Sequence, residues 1–389
     1  MSAANNSVDP GGLQEFSVVY TDRALNHMSQ AFQGVMRDIS AILKQAYGAE
    51  AVAVIPGGGT YAMEAVARQF AGGADCLVLR NGWFSFRWSQ ILDMGGIAAA
   101  TTVLKARQQG RGAQAPFAPA PIDEVVAAIR AQKPAVVFAP HVETASGILL
   151  PDDYLRAVGA ATRDAGGLFV LDCIASGAVW VDMRAIGVDV LISAPQKGWS
   201  GPSCAGLVML GERALARLGE TTSSSFACDL KKWRQIMVAY ETGGHAYHAT
   251  MPTDALTQLR DTMLETRSYG FAKVKVEQQA LGDAVRALLA TYGIPSVAAP
   301  GFQAPGVVVS YTDDAGIQSG KKFLGLGLQT AAGVPLQCDE GADFQSFRIG
   351  LFGLEKLHNI DRTVASLKTA LDQLVPLGKA PTRQPELQT

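Results

Sequence analysis

Between residues 51 and 210, short apolar runs alternate with amphipathic stretches, and that alternation leaves few folds open. AVAVIP (51–56), CLVLR (76–80), AVVFAP (135–140), LFVLD (168–172), VDVLI (188–192) and AGLVML (205–210) each have the length and apolarity of a buried strand. Helical patterns at 61–70, 84–94, 122–131 and 152–165 lie between them. Strands and helices in this rhythm predict an α/β fold, with a mostly parallel sheet covered by helices on both faces. Such sheets bind ligands in the crevice at the carboxyl ends of their strands. The residues just past each apolar run are therefore where chemistry is expected.

The most informative of these places is Ser193-Ala-Pro-Gln-Lys-Gly-Trp-Ser-Gly-Pro202. A lysine here follows one core strand and precedes another, on a loop that Gly198, Gly201 and Pro202 make tight. Most lysines are solvated surface charges. One bracketed by two core strands points inward, where burial lowers its proton affinity and makes the amine nucleophilic toward carbonyls. Asp172 ends LFVLD, 25 residues before Lys197, about one strand–helix–strand unit. A carboxylate there is a strand-end cap or a functional acid. Beside a lysine on the next strand end it suits an aldehyde cofactor, whose carbonyl the lysine holds and whose pyridine nitrogen the acid keeps protonated.

Other strand ends fit the same site. Gly57-Gly-Gly-Thr60 follows a strand and opens a helix, so its backbone N–H groups can receive a phosphate; a plain strand–helix turn reads the same way. It matches neither a dinucleotide fingerprint nor a P-loop, since no lysine follows. Asn81-Gly-Trp-Phe-Ser-Phe-Arg-Trp88 offers a ring to stack on a flat ligand, or simply core aromatics. His141 and Thr144 follow the strand ending at Pro140, and a hydroxyl there reaches a phenolic oxygen or caps the turn.

Outside this region the chain reads more simply. Phe32, Val35, Met36, Ile39, Ile42, Leu43 and Tyr47 share one helical face that Gly48 closes. Gln108 to Pro121 is expected to be a loop. From about Asp254 to Tyr292 one or two long helices are predicted, interrupted near Gly270, then strands at 306–311 and 347–350 and a helix from about Glu355 to Leu374. The expected organisation is an arm (1–20), a large domain (21–252), a smaller C-terminal α+β domain (253–378) and a flexible tail (379–389). With 33 basic and 35 acidic residues, the net charge of −2 gives no electrostatic support for a nucleic-acid or acidic-membrane partner. No uncharged apolar run approaches a membrane span, and no signal peptide is visible at the N-terminus. Five scattered cysteines without a C-x-x-C pair predict reduced thiols, and a cytoplasmic protein is expected. His27, His245 and His248 lack metal-ligand spacing, and no metal site is expected.

Taken together, these stretches resemble the class V aminotransferases, the pyridoxal-phosphate family of fold type I, and in particular the alanine–glyoxylate/serine–pyruvate branch. The likeness runs from about His27 to Leu374. It implies pyridoxal 5'-phosphate as cofactor, held by Lys197 as a Schiff base, with Asp172 on the pyridine nitrogen. It implies Phe84 stacked on one face of the ring and Ile174 packed on the other. Gly58, Gly59, Thr60 and Gln196 would bind the phosphate, and Thr144 the 3-oxygen. Tyr247 and Thr250 would reach the phosphate of a neighbouring subunit, which implies a homodimer with shared sites. Arg348, in FRIG, would clamp a substrate carboxylate as a bidentate fork. The implied reaction moves an amino group from an amino acid to a small 2-oxo acid such as glyoxylate or pyruvate, by a ping-pong course.

The chain departs from the family's pattern before the first helix. A Gly-Pro-Gly-Pro-like turn is replaced by Phe16-Ser-Val-Val-Tyr-Thr-Asp-Arg-Ala-Leu-Asn-His27, so the pocket wall differs, and Tyr20 and Arg23 are candidates for selecting the side chain. The closest alternative is a lyase or desulfurase of the same fold. Desulfurases place a histidine before the lysine and use a mobile cysteine, whereas Gln196 stands there and only Cys228 and Cys338 offer themselves. A nucleotide-binding oxidoreductase built on Gly57–Thr60 leaves Lys197 and Asp172 unexplained. A carrier or regulatory protein that holds the cofactor without turnover has no sequence feature in its favour.

Overall fold

The computed structural model describes Asp9 and residues 13–375. The expected tail and most of residues 1–12 of the expected arm lie outside the described residues. The first helix, α1 (Gln30–Tyr47), starts where Ser29 accepts a hydrogen bond from the Phe32 N–H. It ends where Gly48 turns left-handed at φ 65° and donates its N–H to the Lys44 carbonyl. The apolar face read from the sequence is the buried one.

The chain then continues through β1 (Ala51–Pro56), α2 (Gly59–Phe70), β2 (Asp75–Arg80), α3 (Trp83–Met94) and β3 (Ala100–Lys105). A short pair follows, β4 (Arg107–Gln108) with β5 (Phe117–Ala118), then α4 (Ile122–Gln132), β6 (Val136–Pro140), α5 (Asp152–Asp164) and β7 (Leu168–Asp172). After α6 (Met183–Ile186) come β8 (Val190–Ser193) and β9 (Ala205–Leu210). These build a seven-stranded sheet in the order β1-β9-β8-β7-β6-β2-β3. Only β9 runs against its neighbours; the pairs β2–β3, β2–β6, β6–β7 and β7–β8 are parallel. Strands β6 to β9 are buried along their whole length, which is why they read as unbroken apolar runs.

Two departures from the sequence reading have a common cause. Strand β3 (ATTVLK) was not anticipated; it lies at the sheet's edge, is only half buried, and so carries two threonines instead of an apolar run. The expected loop at 108–121 contains β5, paired antiparallel with β4 through Arg107–Ala118 and Gln108–Phe117. Edge and two-residue strands bury too little to leave a pattern.

Helices α7 (Glu212–Glu220) and α8 (Leu230–Glu241) lead to α9 (Thr253–Tyr269) and α10 (Phe271–Thr291), which are separated at Gly270, φ 104°. Strand β10 (Val307–Tyr311), two one-turn helices α11 (Ala315–Gln318) and α12 (Lys321–Leu324), β11 (Ala331–Ala332) and β12 (Ser346–Gly350) follow. They form an antiparallel sheet, β10-β12-β11, whose central strand carries Arg348 opposite Val309 on one side and Ala331 on the other. The last expected helix is broken in two, α13 (Leu354–Leu357) and α14 (Ile360–Leu374). Asn359 between them leaves the helical region, at φ −132° and ψ 56°, while its carbonyl accepts the Thr363 N–H. Its side-chain Nδ2 donates to the Glu355 carbonyl at 3.1 Å, the competition for backbone groups that favours asparagine at helix ends.

Candidate active site

The carboxyl ends of β6, β7 and β8 lie side by side, since Pro140 pairs with Asp172 and Asp172 with Ile192. Asp172 is thus the last residue of a central strand, and Lys197 follows the end of the adjacent one. The lysine loop is tightly built. A Cβ on Gly198 would lie 2.1 Å from the Gly177 carbonyl oxygen, so only glycine passes there. Ser200 sits at φ 57°, and the Gly201 N–H closes the turn on the Pro195 carbonyl. Trp199 is fully buried between Trp180, at 4.6 Å between ring centres, and Tyr47 and Phe271. That aromatic anchor holds the loop down, two residues after Lys197, which lines the cleft.

Burial, then the nearby Arg348 and Arg87, lower the proton affinity of the Lys197 amine. No carboxylate pairs with it among the described residues; its Nζ lies 5.3 Å from the centre of the Phe352 ring. Asp172 is pushed the other way. Burial raises its carboxyl to about 7, against the pull of a hydrogen bond from the Ile174 N–H at 2.9 Å. The neighbouring Glu143 raises it further and Arg87 opposes. Lysine and aspartate therefore share one crevice, each without an ion-pair partner among the described residues.

A cleft of about 600 Å³, counted with the solvent at its mouth, opens between them. Of the residues singled out from the sequence, Gly59, Thr60, Phe84, Thr144, Asp172, Ile174, Gln196 and Lys197 line it. Gly58 lies just behind, as the N-terminal boundary residue of α2, with extended backbone (φ −167°). Arg348 stands beside the cleft, its guanidinium 5.4 Å from the centre of the Phe84 ring and its Nε donating to the Ala332 carbonyl at 2.8 Å. Tyr247 and Thr250 are not brought into the cleft of their own chain. Both are exposed, with their hydroxyls 3.1 Å apart. Tyr20 gives its hydroxyl to the Met251 carbonyl and Arg23 is exposed, so neither lines the cleft. His141 is buried with Nδ1 2.7 Å from the Ser176 hydroxyl, and burial lowers its proton affinity to about 3, so it is a neutral ring.

Besides the apolar lining residues Met63, Val142 and Ala175, the sequence reading missed Arg87, Phe352 and Glu143. Arg87 lines the cleft, donates to the Thr60 hydroxyl at 3.2 Å, and lies 4.7 Å from the centre of the Phe84 ring. Its place one helical turn after Phe84 was the available signal. Phe352, two residues beyond the end of β12, sets its ring under the Lys197 amine, a contact no local pattern announces. Glu143 is fully buried behind Phe84.

The residues present fit a pyridoxal-type cofactor by their own unmet needs. Among the described residues the Asp172 carboxylate has a single donor, and a protonated ring nitrogen is a donor that would stabilise it as an anion. The N–H groups of Gly59 and Thr60, at the start of α2, find no acceptor among the described residues, and a phosphate suits them. A Cβ at Gly59 would lie 2.5 Å from Ile174 Cδ1, so the glycine lets the helix start come close against that side chain.

The model of the family described as aminotransferase class-V matches residues 14–320. A 2-aminoethylphosphonate–pyruvate transaminase from Paraburkholderia xenovorans is 28% identical over 91% of this chain and 90% of its own. A protein named soluble hydrogenase, small subunit, from a Synechococcus species is 25% identical over 90% of this chain and 88% of its own. The solved ureidoglycine–glyoxylate aminotransferase of Bacillus subtilis shares the fold at a TM-score of 0.75 and 21% identity, over 92% of this chain and 89% of that one. The family model covers well over half the sequence, and the chain belongs to the class-V aminotransferases.

Proposed function

We propose that this chain works as a pyridoxal-phosphate-dependent aminotransferase that passes an amino group from an amino acid to a small 2-oxo acid, with the residues of the cleft in the roles that follow. The observation that carries the reading is the pair Lys197 and Asp172, on adjacent strand ends in one cleft, neither neutralised by the chain itself. The printed names of the relatives, with pyruvate or glyoxylate as acceptor, favour a 2-oxo acid of that size.

When bound, the cofactor supplies an aldehyde for an amine to engage and a protonated pyridine ring that accepts an electron pair. Lys197, whose amine is held at lowered proton affinity, would hold that aldehyde until a substrate amine displaces it. Freed in that way, its Nζ would carry the proton that leaves the substrate carbon, an acid–base task that its lowered proton affinity suits. Asp172 keeps the ring nitrogen protonated. Phe84 and Ile174 line the cleft where the ring's two faces would lie, while the Gly58–Thr60 turn and Gln196 take the phosphate and Thr144 the ring oxygen. Arg348, fixed through its Nε, offers its free guanidinium edge to the substrate carboxylate. Tyr247 and Thr250, exposed and outside the lining of their own cleft, suit the phosphate of a second copy, and we infer a homodimer.

The desulfurase alternative needs a thiolate that moves. All five cysteines are buried, and burial raises the Cys338 thiol to about 12 while it bonds to the Arg80 carbonyl. Reduced, buried thiols also suit a cytoplasmic setting. Among the described residues no helix is long and apolar enough to cross a membrane.

The test is spectroscopic. Purified protein loaded with pyridoxal phosphate should show a visible band that Lys197→Ala does not form, and that borohydride fixes to the wild-type chain. An amino donor should abolish the band and a 2-oxo acid should restore it. A protein that takes up no cofactor, or a band lost for good with release of ammonia, refutes the reading.

A further inference from the structure

Glu143 is a fully buried acid with no lysine, arginine or histidine paired to it among the described residues. Its carboxylate instead accepts four hydrogen bonds. Oε1 receives the N–H of Phe84 at 3.1 Å and of Ala145 at 2.9 Å, and Oε2 receives the N–H of Ser85 at 2.8 Å and its hydroxyl at 2.6 Å. Two of these donors are the unpaired N–H groups in the first turn of α3, whose boundary residue, Gly82, has no side chain to cap them. The glycine is required. A Cβ at Gly82 would lie 2.7 Å from Glu143 Cγ, so the site is shaped for a cap delivered from a distant part of the chain. A carboxylate at a helix start also meets the positive end of the helix dipole.

The two segments that Glu143 joins are the ones that present Phe84 and Thr144 to the cleft. Phe84 is bonded to it directly through its N–H, and Thr144 is flanked by Glu143 and by Ala145, which donates to it. We propose that Glu143 is a positioning residue, which locks the stacking ring and the Thr144 hydroxyl into one rigid frame around the cofactor. The inference rests on the cofactor reading above. Glutamine would turn an amide N–H₂ toward donors that need an acceptor, and aspartate is one methylene too short to serve both segments. The charge also faces Asp172 and Arg348, so its loss would be felt at both.

The test titrates apoprotein with pyridoxal phosphate, reading affinity from tryptophan quenching and ring orientation from visible circular dichroism, beside a melting curve. Glu143→Gln should bind the cofactor about tenfold or more weakly, as expected for losing hydrogen bonds to a charged acceptor, and with altered visible ellipticity. Ser146→Ala is the comparison. Its hydroxyl donates to the Asn81 carbonyl at 2.8 Å and ties the same two segments without touching Glu143, so it should lower the melting temperature and leave the ellipticity unchanged. If Glu143→Gln does not fold, Ser85→Ala, which removes one of the four donors, should shift affinity and ellipticity in the same direction by less. Wild-type affinity and ellipticity in Glu143→Gln, or in Ser85→Ala where that variant stands in, overturn the proposal. So does Ser146→Ala changing the ellipticity as much as Glu143→Gln. A wild-type apoprotein that takes up no cofactor refutes instead the reading beneath it.

Discussion

Asp172→Asn should stabilise the apoprotein at alkaline pH while destroying its activity. Burial raises the Asp172 carboxyl from 3.8 to about 7 in the folded chain. A carboxyl whose folded value lies above its unfolded one binds its proton more tightly when folded. Its favourable contribution is complete below the unfolded value and is lost as pH rises through the folded one. The difference of about 3 pH units corresponds to about 4 kcal/mol at pH 8, an upper limit that solvent reaching the cleft reduces. Asparagine keeps the oxygen that accepts the Ile174 N–H and cannot ionise. Urea unfolding of cofactor-free wild type and variant, followed by tryptophan fluorescence, should therefore give nearly equal stabilities at pH 4. The variant should gain steadily to pH 8, by about 2–4 kcal/mol. The cofactor should reverse the order, because a protonated ring nitrogen turns the ionised aspartate from a cost into an ion pair in wild type only. Equal pH profiles for the two apoproteins would refute the argument that Asp172 is held in the folded chain as an unpaired, desolvated acid.

Two further perturbations probe the cleft from other sides. Arg348→Lys should raise KM for carboxylate substrates about 10–100-fold with a smaller effect on kcat, since lysine offers a point charge in place of a planar fork; an unchanged KM in steady-state assays would remove Arg348 from substrate binding. Gly59→Ala places a methyl 2.5 Å from Ile174 Cδ1 and 3.4 Å from the Ala194 Cβ, so Ile174 must swing into the cleft. Cofactor affinity measured by equilibrium dialysis should fall about tenfold, the scale of an overpacked core, with far-UV circular dichroism unchanged.

The α/β class, the strands that carry the site, and the lysine and aspartate at their ends were legible in the chain itself. Strands buried on both faces must be apolar throughout, so β6 to β9 announce themselves, and the polar residues that end them stand out against that background. Half-buried β3 and two-residue β5 obey no such constraint and left no trace. The break at Asn359 inside the last helix was hidden for a related reason, because the apolar periodicity continues across it.

What the tertiary structure alone decided is which distant groups meet in the cleft. Phe352 approaches Lys197 from the segment just after β12, Arg348 approaches Phe84 from β12 itself, and Glu143 caps a helix that begins 60 residues before it in the chain. The Lys197 and Asp172 positions follow from local pattern, but their altered proton affinities do not. Those arise from burial and from charges brought close by the fold, and electrostatic energy depends on distance through space and on exclusion of water, neither of which is written in the order of residues.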